Sequence, residues 1–150
     1  MILIVVFIVL SLDRLTKFLV TKNLILNRSV PVIKGTFNLT LVHNSGAAFG
    51  ILKNQSLFLI FTSIFAIILI YFSLRGNKHN KLYIVSLSLI LAGAIGNLID
   101  RLFFGYVIDF LDFRIWPVFN LADSSITIGA ILVGWLILSP FAEDHAHARR

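Results

Sequence analysis

The sequence predicts an all-α membrane protein with four transmembrane helices, forming a single polytopic domain over residues 1–150. Of the 150 residues, 58% are hydrophobic and only 13% are charged. That charged fraction is about half the usual value for a soluble domain, so the side chains cannot cover a water-facing surface. The apolar residues gather in four long segments. The absence of cysteine excludes a disulfide framework and thiolate metal sites.

The four predicted spans cover about residues 1–20, 57–74, 82–99 and 121–141, each 18 to 21 residues long. These lengths fit a hydrocarbon layer of ~30 Å at a helical rise of about 1.5 Å per residue. A helix also satisfies its own backbone hydrogen bonds in lipid. The first segment has neither a basic start nor a small-residue cleavage site, so we expect a retained span and not a cleaved signal peptide.

The three connections differ in character. The first alternates apolar and polar residues around Val30–Val32 and Phe37–Leu41, which predicts short strands and a small interfacial β-sheet. The second, Arg75–Lys81, is short and basic, whereas residues 101–120 are rich in aromatic side chains suited to lipid headgroups. The density of basic residues places the short loop and both termini in the cytoplasm, but the total number of Lys and Arg in each connection leaves the sidedness open.

Polar side chains concentrate at one side of the predicted bundle. With four spans, the ends that adjoin the first and third connections share one membrane face, and five of the seven acidic residues lie there. The polar residues at this face are Asp13, Lys17, Asn44, Asn97, Asp100, Arg101, Asp109, Asp112, Asn120 and Asp123. Because a carboxylate inside a span is costly, such residues are functional candidates.

Several of these residues also have a purely structural interpretation. Asp13 and Lys17, four residues apart, form either a self-neutralising pair with Lys17 snorkelling outward or a group that orients a ligand. Gly93, Asn97, Asp100 and Arg101 share one helix face, where the glycine serves close helix packing. Asp100 and Arg101 compensate each other or reach the headgroups. Asp123 is either a helix cap or a reactive carboxyl.

Asp109 and Asp123 are candidates for an aspartic dyad. Asp109 is predicted on a loop between Ile108 and Phe110, whose apolar side chains raise its pKa, and Asp123 lies at the entrance of the fourth helix. Two carboxyls close together share one proton, so one can deprotonate water while the other polarises a peptide carbonyl. No zinc helix, serine elbow or phosphate-binding loop occurs, and the scattered basic residues form no nucleic-acid-binding face.

Five sequence blocks, in order along the chain, complete the assignment. They are Leu12–Lys17, Asn44–Gly50, Ala92–Arg101, Val107–Asp112 and Phe119–Ser125. On these blocks the chain resembles the bacterial lipoprotein signal peptidases (type II signal peptidases) over nearly its whole length. Two departures stand out: Arg14 replaces an uncharged residue, often Gln, and Ala92 replaces a usual Gly.

The resemblance implies an aspartic endopeptidase that cuts the signal peptide from diacylglyceryl-modified prolipoproteins just before the lipidated cysteine. Its dyad would be Asp109 and Asp123, with no metal or cofactor. The supporting residues would be Asp13, Lys17, Asn44, Gly93, Asn97, Asp100, Arg101 and Asn120. The stretch from Asn44 to Phe49 is a candidate substrate clamp. The cyclic peptide antibiotic globomycin, which blocks the family, is an expected ligand.

The resemblance also implies an architecture and a location. We expect four helices, a sheet formed from the long first loop, extracytoplasmic loops, a site at the extracytoplasmic face and cytoplasmic termini. The protein would be a monomer in the bacterial cytoplasmic (inner) membrane, in contact with membrane lipid. Two other classes stay open from the residues alone. An ion- or proton-coupled transporter would use intramembrane acids as a relay, and an assembly subunit would use them only for packing.

Overall fold

The computed structural model describes residues 1–46, 55–75 and 80–139. Over these ranges the chain forms four helices and three strands. In chain order they are α1 (Ile2–Asn23), β1 (Ser29–Ile33), β2 (Phe37–Asn44), α2 (Ser56–Leu74), α3 (Lys81–Phe104), β3 (Val107–Asp112) and α4 (Leu121–Leu138). Helix α3 is central, since it packs against each of the other three helices.

Three of the helices, α2, α3 and α4, are long and apolar enough to cross a membrane. Helix α1 has 22 residues, a sufficient length, but it carries Asp13, Arg14 and Lys17 in its second half. Each helix overlaps one of the four apolar segments of the sequence. The protein is therefore a mostly helical integral membrane protein with a small antiparallel sheet.

The bundle has an apolar outer surface and holds charged residues in its interior. On the outer surface of α1, Leu3 and Phe7 are 83% and 73% exposed, and α2 presents Phe61 and Phe65 in the same way. In contrast, Asp13, Lys17 and Asp100 are at most 2% exposed. Large apolar side chains facing outward are stable when lipid surrounds them, and the charged residues are kept away from that lipid.

Close contact between α3 and α4 depends on glycine. At Gly93 an added Cβ would collide with the Ala122 carbonyl oxygen and lie 2.5 Å from Ser125 Oγ. At Gly129 an added Cβ would lie 2.6 Å from the Ser86 carbonyl oxygen. Small residues let two helix backbones approach closely, and this brings the start of α4 against the middle of α3.

The sheet has the order β1-β2-β3 and is antiparallel throughout. Strands β1 and β2 confirm the strands predicted in the first loop. Strand β3 was not predicted: Asp109 lies on a strand and not on a loop, and it pairs with Val42 of β2. The alternating pattern is missing from Val107–Asp112 because both faces of its first four residues are buried. Val20, Leu41, Ile108 and Phe110 form the apolar core beneath the sheet.

The predicted helix ends were partly wrong. Helix α3 continues five residues beyond Ile99, so that Asp100 and Arg101 lie within it, and it ends where Gly105 takes a left-handed conformation with φ of +80°. Helix α1 extends to Asn23, α2 and α3 each start one residue earlier than predicted, and α4 ends at Leu138. Residues 140–150, including the predicted tail, lie outside the described residues, as does most of the short basic loop.

Candidate active site

Asp109 lies in the middle of β3 and is 1% exposed. Its two carboxyl oxygens accept hydrogen bonds from different elements, Oδ2 from Asn44 Nδ2 at 2.8 Å and Oδ1 from Asn120 Nδ2 at 2.7 Å. Burial, with the negative charge of Asp123 next in size, raises the pKa of Asp109 to about 7, against the opposing effect of the two amide donors. This carboxyl therefore exchanges its proton near neutral pH.

Asp123 occupies the first turn of α4, in a reciprocal capping arrangement with Asn120. The Asn120 side chain accepts from Asp123 N at 2.9 Å, and Asp123 Oδ2 accepts from Asn120 N at 3.2 Å. The cap residue is thus Asn120, and Asp123 stands three residues inside the helix. Its second oxygen, Oδ1, accepts from Asn97 Nδ2 at 2.7 Å. The capping role and a reactive role are therefore compatible in one side chain.

Two asparagines join these carboxyls. Asn120 binds both Asp109 and Asp123, so it couples β3 to α4. Asn97 Oδ1 accepts from Asn120 Nδ2 at 3.1 Å and from Lys17 Nζ at 3.2 Å. Because its oxygen is occupied by these donors, the amide nitrogen of Asn97 points to Asp123.

Behind the asparagines lies an ion cluster made of three buried residues, Asp13, Lys17 and Asp100, and the partly exposed Arg14. Lys17 Nζ is 3.1 Å from Asp13 Oδ2 and 2.7 Å from Asp100 Oδ2. Arg14 is 2.6 Å from both carboxylates. The pairing of Asp13 with Lys17 is confirmed, but the alternative in which Lys17 snorkels outward is wrong, because its side chain is only 2% exposed.

The remaining predicted residues have distinct positions. Among the described residues, Asp100 forms its ion pairs with the α1 residues Arg14 and Lys17 and none with the neighbouring Arg101. Arg101 lines the same cavity as Asp109 and Asp123. Gly93 packs against the first turns of α4. Asn44 begins a tight turn in which its Oδ1 accepts from Gly46 N at 3.0 Å, and the predicted clamp beyond Gly46 lies outside the described residues.

Asp112 stands apart from this site, although the sequence grouped it there. Thr40 Oγ1 donates to its Oδ2 at 2.7 Å, and Arg114 N donates to its Oδ1 at 2.9 Å. The Thr40 hydrogen bond, the largest cause, holds the pKa of Asp112 below its usual range. The Arg114 donor is its backbone N–H, and this carboxylate therefore stabilises the end of the sheet.

Two adjoining cavities open at the carboxyls. One of about 250 Å³ is lined by Asn44, Arg101, Asp109 and Asp123. The other, of about 470 Å³, has a mostly apolar lining that includes Phe113, Ile115, Trp116, Phe119 and Ile128 and reaches Asp123. Across residues 1–46, 55–75 and 80–139, no three acidic, histidine or cysteine side chains converge as metal ligands. The first cavity therefore has a mixed polar and apolar lining, whereas the second is mostly apolar.

Sequence reasoning missed the role of Arg14 in this arrangement. The sequence marks Arg14 only as a departure from the family pattern, whereas its guanidinium contacts Asp13, Asp100 and the Gly96 carbonyl oxygen. A signal was present in the sequence, since a third charge beside Asp13 and Lys17 inside an apolar helix needs a buried partner.

The chain is similar to proteins of known family. A family profile described as signal peptidase (SPase) II matches residues 5–139. A lipoprotein signal peptidase of Moorella thermoacetica is 47% identical over 143 residues, covering 95% of each chain. One of Halothermothrix orenii is 51% identical over 136 residues, covering 89% of this chain and 92% of the relative. A solved structure described as a bacterial membrane enzyme superposes with a TM-score of 0.86 at 37% identity, covering 91% of this chain and 87% of that one.

Proposed function

The chain belongs to the signal peptidase II family, a family of membrane proteases that remove signal peptides from lipoproteins, and on that premise we propose an aspartic mechanism for it. The proposed reaction is cleavage of diacylglyceryl-modified prolipoproteins just before the lipidated cysteine. The observation that carries this proposal is the pair Asp109 and Asp123, brought from β3 and α4 to one cavity and joined by Asn120.

In the proposed mechanism the pair shares one proton. Asp109, with a pKa of about 7, holds the proton and donates a hydrogen bond to the oxygen of the scissile carbonyl. Asp123 carries the negative charge, which the Asn97 amide and the Asn120 backbone N–H stabilise. The Asp123 carboxylate takes a proton from water as the water oxygen attacks the carbonyl carbon. As the C–N bond of the tetrahedral intermediate breaks, Asp123 passes the proton that it took from water to the leaving amine, which restores the singly protonated pair.

The other predicted residues have supporting roles in this proposal. Asn44 and Asn120 hold Asp109, Asn97 holds Asp123, and Gly93 permits the close approach of α3 and α4. The charged groups Asp13, Lys17 and Asp100 hold the elements that carry the pair, while Arg101 lines the cavity where the peptide would lie. The reaction as proposed requires neither a metal nor a cofactor.

The proposed topology has four crossings within a single domain over residues 1–150. Burial of Asp13 and Lys17 against α3 leaves the outer surface of α1 apolar, which supports α1 as the fourth span. The basic Arg75–Lys81 loop and both termini would be cytoplasmic. The reactive pair would then lie at the extracytoplasmic face of the bacterial cytoplasmic membrane. We further propose that the enzyme acts as a monomer and binds globomycin at the same cavity.

The apolar cavity beside Asp123 supports a lipidated substrate. Its volume of about 470 Å³ and its aromatic lining suit an acyl chain, whose burial contributes about 0.8 kcal/mol per methylene. A transporter or an assembly subunit is not favoured, because the chain belongs to a protease family and two of its acids, Asp109 and Asp123, line one cavity.

The test of this proposal compares two forms of one precursor, with its cysteine diacylglyceryl-modified or free. We expect the purified full-length enzyme to cut the lipidated form with a kcat/KM about a hundredfold higher or more. Mass spectrometry should locate the new amino terminus at the modified cysteine. Equal cleavage of both forms would refute the lipid requirement, and no cleavage of either would refute the peptidase activity on this substrate.

A pH dependence follows from the position of Asp109. A carboxyl with a raised pKa keeps its proton to a higher pH, so the singly protonated pair persists until the pKa of about 7 is passed. We expect kcat/KM to fall as the pH rises through about 7, with one proton lost. Initial rates between pH 5 and 9 in mixed micelles, with enzyme stability checked at each pH, measure this. A rate that climbs steadily to pH 9 would contradict it.

A further inference from the structure

Arg14 joins two buried carboxylates that come from different helices. Its Nη2 donates to Asp13 Oδ2 and its Nη1 donates to Asp100 Oδ1, each at 2.6 Å. Nη2 also donates to the Gly96 carbonyl oxygen at 2.9 Å. The planar guanidinium with several N–H donors can bridge two carboxylates at once, which a single ammonium group does with less directional control.

The same two carboxylates hold the backbone next to each reactive aspartate. The oxygen of Asp13 that does not contact Arg14, Oδ1, accepts a hydrogen bond from Ala122 N at 3.1 Å. Ala122 is one residue before Asp123. Asp100 Oδ2 accepts from Ile108 N at 3.3 Å, one residue before Asp109. Each carboxylate thus binds Arg14 through one oxygen and the backbone beside one reactive aspartate through the other.

Charge balance explains why the cluster needs a second cation. Asp13 and Asp100 are 1% and 0% exposed, so their charges have little water to stabilise them. Within the described ranges, their ion-pair partners are Arg14 and Lys17. Removing Arg14 would leave Lys17 shared between two anions. Its Nζ, which already contacts both carboxylates and also donates to Asn97 Oδ1, would then have to balance the two negative charges alone.

We propose that Arg14 is a positioning residue, which sets the separation of Asp109 and Asp123 by holding Asp13 and Asp100 in place. This inference rests on the proposed function of the Asp109–Asp123 pair. Two cations of the described residues, Lys17 on α1 and Arg101 on α3, act directly on the charge of the pair. Arg14 touches neither member of the pair, so its effect passes through the backbone amides of Ala122 and Ile108.

The test uses three full-length variants with the lipidated precursor as substrate. Arg14→Met removes the charge, whereas Arg14→Lys keeps the charge but lacks the planar guanidinium group. The control, Arg75→Gln, removes one charge at the exposed far end of α2. We expect Arg14→Met to lower kcat by about 10- to 100-fold, since small displacements of reacting groups have effects of this size. Its KM should stay within about twofold of the parent. Arg14→Lys should recover a large part of kcat, and Arg75→Gln should match the parent.

Several results would overturn the inference. They are an Arg14→Met enzyme with parental kcat, a loss that lies in KM alone, or an Arg14→Lys enzyme as slow as Arg14→Met. If Arg14→Met does not fold, Arg14→Lys is compared with Arg14→Gln, and a lysine variant no faster than the glutamine variant refutes the inference. Asp109→Asn and Asp123→Asn are measured in parallel. If either is active, the proposed dyad fails; if both are inactive and Arg14→Met is normal, the Arg14 inference alone fails.

Discussion

Replacing either Asp109 or Asp123 with asparagine is expected to lower kcat by about a thousandfold or more. An amide has the shape of a carboxyl but can neither accept a proton from water nor share one with its partner, so each variant loses the proton transfer. The effects should not add in the double variant, because both side chains serve one proton-transfer step. The measurement is single-turnover and steady-state cleavage of the lipidated precursor.

A matched control lies on the same strand. Asp112→Asn makes the same chemical change three residues after Asp109, at a carboxylate bound to Thr40 and not to the site. We expect its kcat to remain within about threefold of the parent, since its loss is limited to one hydrogen bond of about 1 kcal/mol at the end of the sheet. Thermal unfolding in detergent checks that all variants are folded. Normal turnover by Asp109→Asn or Asp123→Asn would remove that residue from the dyad.

Replacing Gly93 with alanine is expected to destabilise the protein and to slow the reaction together. The new methyl group would collide with the Ala122 carbonyl oxygen, which is backbone and moves only if α4 moves. Forcing a methyl group into a closely packed contact costs about 1–3 kcal/mol. Because Asp123 follows Ala122 directly, displacement of α4 should also lower kcat, by about tenfold or more. The measurements are the unfolding temperature and kcat.

Gly134→Ala is the control for this change. An added Cβ at Gly134 meets no atom within 4 Å, and alanine favours the helix over glycine by about 1 kcal/mol. We therefore expect Gly134→Ala to match or exceed the parent in unfolding temperature, with unchanged kcat. If Gly93→Ala and Gly134→Ala behave alike, the α3–α4 contact at Gly93 does not determine the position of α4.

Much of the fold follows from local patterns. The long apolar runs predicted each helix, because a run of 18 residues or more with few charges is recognisable without any knowledge of its neighbours. The alternation in the first loop predicted β1 and β2 for the same reason. Strand β3 was not predicted, because a strand buried on both faces lacks the alternation of apolar and polar residues. Its formation depends on pairing with the neighbouring strand β2. The end of α3 was placed too early, because Asp100 and Arg101 resemble a helix terminus until their partners are known.

The prediction of the polar residues was less complete. Clustering at one membrane face was inferred from the connectivity of the spans, and this placed Asp109, Asp123 and their asparagines in one region. Asp112 was included by the same logic, yet it bonds to Thr40. Arg14 was recognised as unusual without a role, because its partner Asp100 lies 86 residues away in the chain.

Composition and spacing along the chain were thus sufficient to establish a membrane bundle and the residues that crowd one end of it, since hydropathy and helical periodicity are local properties. The pairing of particular atoms required the folded chain. That Asp13 holds Ala122, that Asp100 holds Ile108, and that Arg14 joins both carboxylates depends on how closely α1, α3 and α4 approach one another. Such distances arise from packing between segments far apart in the chain, which no local pattern encodes.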